Sequence, residues 1–179
     1  RGTHAKGKCF RGYLEVLSTS QMRDQNIPEQ LSMRLKRGLW NQDGQWPVVM
    51  RFANANGMGK IQSDKEPDVR GFSFSVGGLT SLNTFSEEGR QDFMMNSTPQ
   101  FATGGIREFV EVVKAANNLI YKDFSYIPSP RYYPAIGRAL RLISEGNKDG
   151  SHLKSYAHMN YWSNLPYTHG INEDGQALD

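Results

Sequence analysis

Residues 70–76 read Arg70-Gly71-Phe72-Ser73-Phe74-Ser75-Val76. Phe72, Phe74 and Val76 alternate with Gly71, Ser73 and Ser75, the two-residue period of a strand with one apolar face and one small or polar face. Upstream, Pro47–Ala53 holds Val48, Val49, Met50 and Phe52, a run that predicts a strand buried on both faces. Residues 8–18 alternate again, with Phe10, Gly12, Leu14 and Val16 set against Arg11, Tyr13 and Glu15. Downstream, Gln91–Asn96 reads as a fourth strand. Residues 54–68 are polar and contain glycine, which predicts a long loop. Residues 20–40 read as a connection with one helix begun near Pro28, carrying Leu31, Leu35 and Leu39 at turn spacing, and Asp43-Gly44 is a turn signal.

The period changes after residue 100. Ile106, Phe109, Val110 and Val113 fall at helical spacing on one face, and Ile136, Ala139, Leu140 and Ile143 repeat it. Pro128 and Pro130 separate the two helices. Residues 156–163 return to strand-like composition. Strands, two helices and a further strand predict an α+β domain on an antiparallel sheet or barrel. Nothing alternates as βαβ, and Gly57 and Gly59 precede no helix with a phosphate-cradle pattern.

The 179 residues suit one domain, 1–179, with a real core. Hydrophobic residues are 37% and charged residues 22%, the composition of a globular chain, and no apolar run reaches the ~18 to 20 residues of a membrane helix. Net charge is +3, with Lys and Arg spread among acids, so no nucleic-acid partner is expected. Cys9 is alone; no disulfide framework is possible, and a small buried hydrophobe at a strand start is the expected role. The compartment is not fixed by these features. The chain opens on Arg1, and Asn172-Glu173-Asp174-Gly175 reads as a hairpin turn awaiting a strand, so a domain continuing past both ends is expected.

Three segments carry candidate chemistry. They are Arg1-Gly2-Thr3-His4-Ala5-Lys6-Gly7 before the first strand, Arg51-Phe52-Ala53-Asn54 followed by Asp68-Val69-Arg70-Gly71-Phe72, and Asp92-Phe93-Met94-Met95-Asn96-Ser97-Thr98-Pro99 with Phe101 and Phe109 beyond. Each is weak alone. A single His in a loop is more often plain surface, Asn96-Ser97-Thr98 also matches a glycosylation sequon, and Phe109 alone reads as helix core.

In this order and spacing the segments resemble the catalase superfamily, from Arg1 to about residue 117 and more loosely over Tyr161–Gly170. The resemblance implies a catalase-like antiparallel β-barrel with flanking helices, of which this chain carries the distal-side portion. It implies haem b as cofactor and hydrogen peroxide or an organic hydroperoxide as substrate, and it accommodates a homo-oligomer. By position, His4 matches the distal His and Asn96 the distal Asn. Arg1 and Arg51 match arginines that pair with haem propionates. Phe101 matches a residue facing the distal pocket, Phe109 an aromatic stacked on the haem, and Asp68 an acid lining the access channel.

The residue chemistry suits these roles. An imidazole with pKa ~6.5 can take a proton from one peroxide oxygen and return it to the other. An amide orients an oxygen without adding charge. Arginine forks match carboxylates.

Two positions depart from the typical pattern. Thr3 stands where catalases have Val, which places a hydroxyl next to His4 in the proposed cofactor pocket. Ala53 stands where a Ser supports the distal His. Both resemble the catalase-related branch of small peroxidases and allene oxide synthases. This keeps a lipid hydroperoxide isomerase or dehydratase as the alternative to a catalase or peroxidase, and a barrel protein that has lost haem as a third reading. The family's iron ligand is a Tyr in an R-x-x-x-Y segment, and no Arg of this chain has a Tyr four residues later. The proximal Tyr is therefore expected on a C-terminal segment outside these residues or on a second chain.

Overall fold

A computed structural model describes residues 6–55, 63–66, 68–79, 89–101, 103–122, 125–145, 155–165 and 167. Among them, five strands form one antiparallel sheet in sequence order, β1 (Gly7–Val16), β2 (Gly44–Asn54), β3 (Arg70–Val76), β4 (Gln91–Asn96) and β5 (Trp162–Ser163). The helices are α1 (Thr19–Asp24), α2 (Glu29–Leu35), α3 (Ile106–Tyr121) and α4 (Tyr133–Glu145). The class is α+β, as the order of periods predicts. The expected barrel is not closed among the described residues. The strand order runs from β1 to a two-residue β5 and does not pair these two end strands with each other. No described helix is long and apolar enough to cross a membrane.

The register follows from a few bonds. Ala55 N–H donates to the Val69 carbonyl at 2.9 Å, and Gly77 N–H to the Pro47 carbonyl at 2.9 Å. Both fit one antiparallel register, which sets Phe52 opposite Phe72, Ala53 opposite Gly71 and Asn54 opposite Arg70. The Phe52 and Phe72 rings stack at 4.6 Å, as directly opposed residues should. Ser97 N–H donates to the Arg70 carbonyl at 2.8 Å, and Phe74 stacks on Phe93 at 4.7 Å. That register sets Gly71 opposite Asn96. Across the last pair, Asn96 faces Trp162 and Met95 faces Ser163.

The chain divides into two compact units. The first holds residues 1–8, 52–72 and 95–164. Its aromatic cluster is Phe52, Phe72, Tyr156 and Tyr161, and α3 packs on α4, burying Ala115, Ala135 and Ala139. Glu108, which accepts from Gly104 N–H at the start of α3, also pairs with Arg138 of α4 at 3.1 Å. The second unit holds residues 9–51, 73–94 and 165–179. There Phe93 is the hub of an aromatic cluster with Phe74, Trp40 and Tyr167.

Several local expectations need correction. The 20–40 connection holds two short helices, not one. Ser18 and Gln21 form a reciprocal cap that starts α1. Asn26, at φ 58°, ends it before Pro28 begins the next. The second helix stops at Leu35, ahead of a 3-10 turn at Gly38–Trp40. Val49 is exposed while Val48 is buried, so β2 is not buried on both faces there. Cys9 is exposed rather than buried; it lies on β1, an end strand of the sheet among the described residues, and a strand pattern does not say what covers its faces. Residues 156–163 make a 3-10 turn at Tyr156–His158 and only two residues of strand. The hairpin expected at Asn172–Gly175 lies outside the described residues.

Candidate functional site

Side chains alternate across a strand, so the register sorts the motif residues by face. Ala53, Gly71, Asn96 and Trp162 lie in one row across β2, β3, β4 and β5, all on the same face. Neighbouring strands are ~4.8 Å apart, so Ala53 and Asn96 sit about 10 Å from each other across Gly71. The glycine has no Cβ, so the row between them has a bare backbone floor. Ala53 and Gly71 are buried and Asn96 is half-buried. Two residues before Ala53 on the same strand, Arg51 is half-buried and held by interactions of its own. Trp162, beside Asn96, was not foreseen as a site residue. Its only sequence signal is its place in the strand-like stretch after the second helix.

Phe101 and Phe109 are brought together, their rings stacked at 6.2 Å. They do not form helix core. Phe101 is 55% exposed, Phe109 44% and Ile106 83%, and Val110 is also exposed. The apolar stripe of α3 thus turns its first turns to solvent, not inward as its periodicity predicts. Arg1, Thr3 and His4 lie outside the described residues, so the expected convergence of His4 with Asn96 lies outside them too. Among the described residues, no group of three His, Cys, Asp or Glu side chains is placed to hold a metal ion.

The opposite face of the same strands carries a polar network, buried at Arg70, Asn54 and Asp68 and exposed at Asp64. Arg70 is 1% exposed and Asn54 2%. Arg70 Nη2 donates to the Asp64 carbonyl at 2.8 Å and the Glu66 carbonyl at 2.7 Å. Its Nη1 is 3.7 Å from Asp68 Oδ2. Asp68, quoted above as a channel acid, is buried. The guanidinium also lies 5.4 Å from the centre of the Tyr156 ring, a cation–π distance. The Tyr156 hydroxyl is 2.7 Å from Asn54 Oδ1 and 2.7 Å from Asp64 Oδ1. Lys6 Nζ donates to the same Asp64 oxygen at 2.6 Å, and the Lys6 carbonyl accepts from Asn54 N–H at 3.0 Å.

These contacts set the local acidities. Burial pushes the Asp64 carboxyl up, but the hydrogen bonds from Lys6 and Tyr156, with the charges of Lys6 and Arg70, outweigh it and hold the carboxyl below its ordinary value. Burial, then the bond to Asp64, raises the Tyr156 phenol far above the ordinary tyrosine range against the opposing charge of Arg70. Burial likewise lifts Tyr161 to about 12, and its hydroxyl donates to the Tyr156 carbonyl at 3.0 Å. At neutral pH Asp64 is therefore a carboxylate, and the Tyr156 and Tyr161 phenols are neutral. No family model and no curated protein sequence matches this chain.

Proposed function

We propose that this chain is the distal-side part of a catalase-like haem protein that processes a peroxide, with the sheet continuing into a barrel through strands beyond those described. The observation that carries the reading is the row Ala53–Gly71–Asn96 on one sheet face. Two of the three motif segments contribute to it, and it offers one polar amide beside a bare backbone floor. That supports a small polar substrate held by Asn96.

The exposed aromatic pair supports haem as the cofactor. A porphyrin is a flat apolar plate, and an exposed apolar patch on a helix is the surface such a plate would cover. Phe109 and Phe101 would lie against the ring, and Arg1 and Arg51 would bind its carboxylates by their planar forks. When bound, haem iron supplies the redox chemistry, and the protein supplies placement and polarity. His4 takes the proton from one peroxide oxygen and returns it to the departing one. Asn96 orients the substrate through its amide, neutral in both steps.

Within this reading, Ala53 favours peroxidase or hydroperoxide chemistry over fast dismutation of hydrogen peroxide. Its methyl lies on the candidate face where a hydroxyl would hold the imidazole. A lipid hydroperoxide isomerase or dehydratase is the second reading that the same residue supports. Peroxide turnover by the haem-loaded protein tests the assignment. His4→Ala should lower it ~10² to 10⁴-fold, and Asn96→Ala should lower it less, because water can replace part of an orienting bond. Near-normal turnover in the His4 variant would eliminate His4 as the base.

A further inference from the structure

The polar network on the opposite sheet face supplies no group to the chemistry proposed above, yet it ends on Lys6, two residues from His4. Two residues of chain span at most ~7 Å, so whatever fixes Lys6 limits where His4 can be. Lys6 is fixed at two points. Its carbonyl accepts from the Asn54 amide at the end of β2, and its ammonium donates to Asp64. An exposed Lys–Asp pair alone contributes little, since two flexible side chains must be ordered in water. Here the carboxylate is itself held, by a phenol from the far end of the unit. Tyr156 is 102 residues from Asn54 and 92 from Asp64. Its ring is set by Phe52, at 6.2 Å and 13° between planes, and by the Arg70 guanidinium.

The hydroxyl has one hydrogen and two oxygens at 2.7 Å, so it can donate to only one. The charged carboxylate is the stronger acceptor. Asn54 Nδ2 is buried without a hydrogen-bond partner among the described residues. An amide turned by 180° satisfies both facts, because its NH₂ then donates to the phenol oxygen. The bonds then run in one direction, from the Asn54 amide to Tyr156, from Tyr156 to Asp64, with Lys6 meeting the same carboxylate from outside.

We propose that Tyr156 is a positioning residue that clamps Lys6 onto the end of β2 by way of Asp64 and Asn54, and so fixes the point in the chain two residues from His4. The role of His4 rests on the function proposed above; the clamp itself does not. Tyr156→Phe keeps the ring against Phe52 and Arg70 and removes only the hydroxyl. Hydrogen exchange in the haem-free protein should then show the Asn54 amide, which donates to Lys6, exchanging about tenfold faster, the equivalent of one net hydrogen bond. The β3 and β4 amides should hold. Lys6→Met should give the same local change and Lys6→Arg should not. In the haem-loaded protein kcat should fall about as much with KM unchanged, since Tyr156 does not touch substrate. Unchanged exchange at Asn54 in both Tyr156→Phe and Lys6→Met would overturn the clamp, as would a rise spread evenly over the sheet. A wild-type protein without peroxide turnover would end the functional reading, while the exchange result would still decide the clamp.

Discussion

Replacing Arg70 by Met should destabilise this protein more than almost any other single change outside its aromatic clusters. Met keeps the unbranched apolar stem of the side chain but ends short of the guanidinium, whose place over the Tyr156 ring is lost with its charge, so the loss is chiefly electrostatic. Arg70 is 1% exposed. The change removes two hydrogen bonds to carbonyls, at 2.8 and 2.7 Å, and takes the guanidinium away from Asp68. Removing one member of a buried ion pair costs about 3 to 5 kcal/mol, because the remaining charge stays desolvated. Domains of this kind have only ~5 to 15 kcal/mol in total. With a urea dependence of about 2 kcal/mol per molar, the unfolding midpoint should fall by ~1.5 to 2.5 M. Equilibrium denaturation followed by circular dichroism measures it. The double variant Arg70→Met with Asp68→Asn should recover part of the loss, as neighbours in one network are not additive. A midpoint shift below about 0.5 M, or strict additivity in the double variant, would refute the argument that the pair is coupled across a dry site.

Asp64 gives a prediction in pH. Its folded pKa lies below the ordinary value of 3.8, so its contribution is present above the unfolded pKa and lost as pH falls through the folded one. The melting temperature of the wild type should therefore drop more steeply below about pH 4 than that of Asp64→Asn, and parallel profiles would contradict the assigned role of its bonds to Lys6 and Tyr156. At the candidate site, Thr3→Val with Ala53→Ser should raise oxygen release from hydrogen peroxide by up to about tenfold, the kinetic equivalent of one hydrogen bond. No gain would mean that these two residues do not set the reaction preference.

The sheet was legible because its signal is local. Phe72, Phe74 and Val76 in β3 alternate without exception, and the fourth strand ends at Asn96 as its composition indicates. The two long helices follow their apolar spacing. What the spacing cannot carry is what covers an apolar face. Ile106, Phe109 and Val110 have the pattern of helix core and are exposed. Val49 and Cys9 fail for the related reason that burial depends on neighbouring elements, which a strand pattern does not name. The polar network was invisible for a different reason. Tyr156, Asp64 and Lys6 meet across long stretches of chain and repeat at no period. Lys6, Asn54, Asp68 and Arg70 stood inside segments already singled out, but Asp64 and Tyr156 did not. The cap at Ser18 and Gln21 was readable as a Ser followed three residues later by Gln, and it alone would have revealed α1.

The absorption spectrum of the full protein, purified and supplied with haem, decides whether the cofactor binds. A Soret band with the features of a high-spin ferric haem bound by tyrosinate is expected, with loss of haem affinity in Phe109→Ala. A protein that takes up no haem, or binds it with a spectrum indifferent to Phe109, would contradict the proposed function.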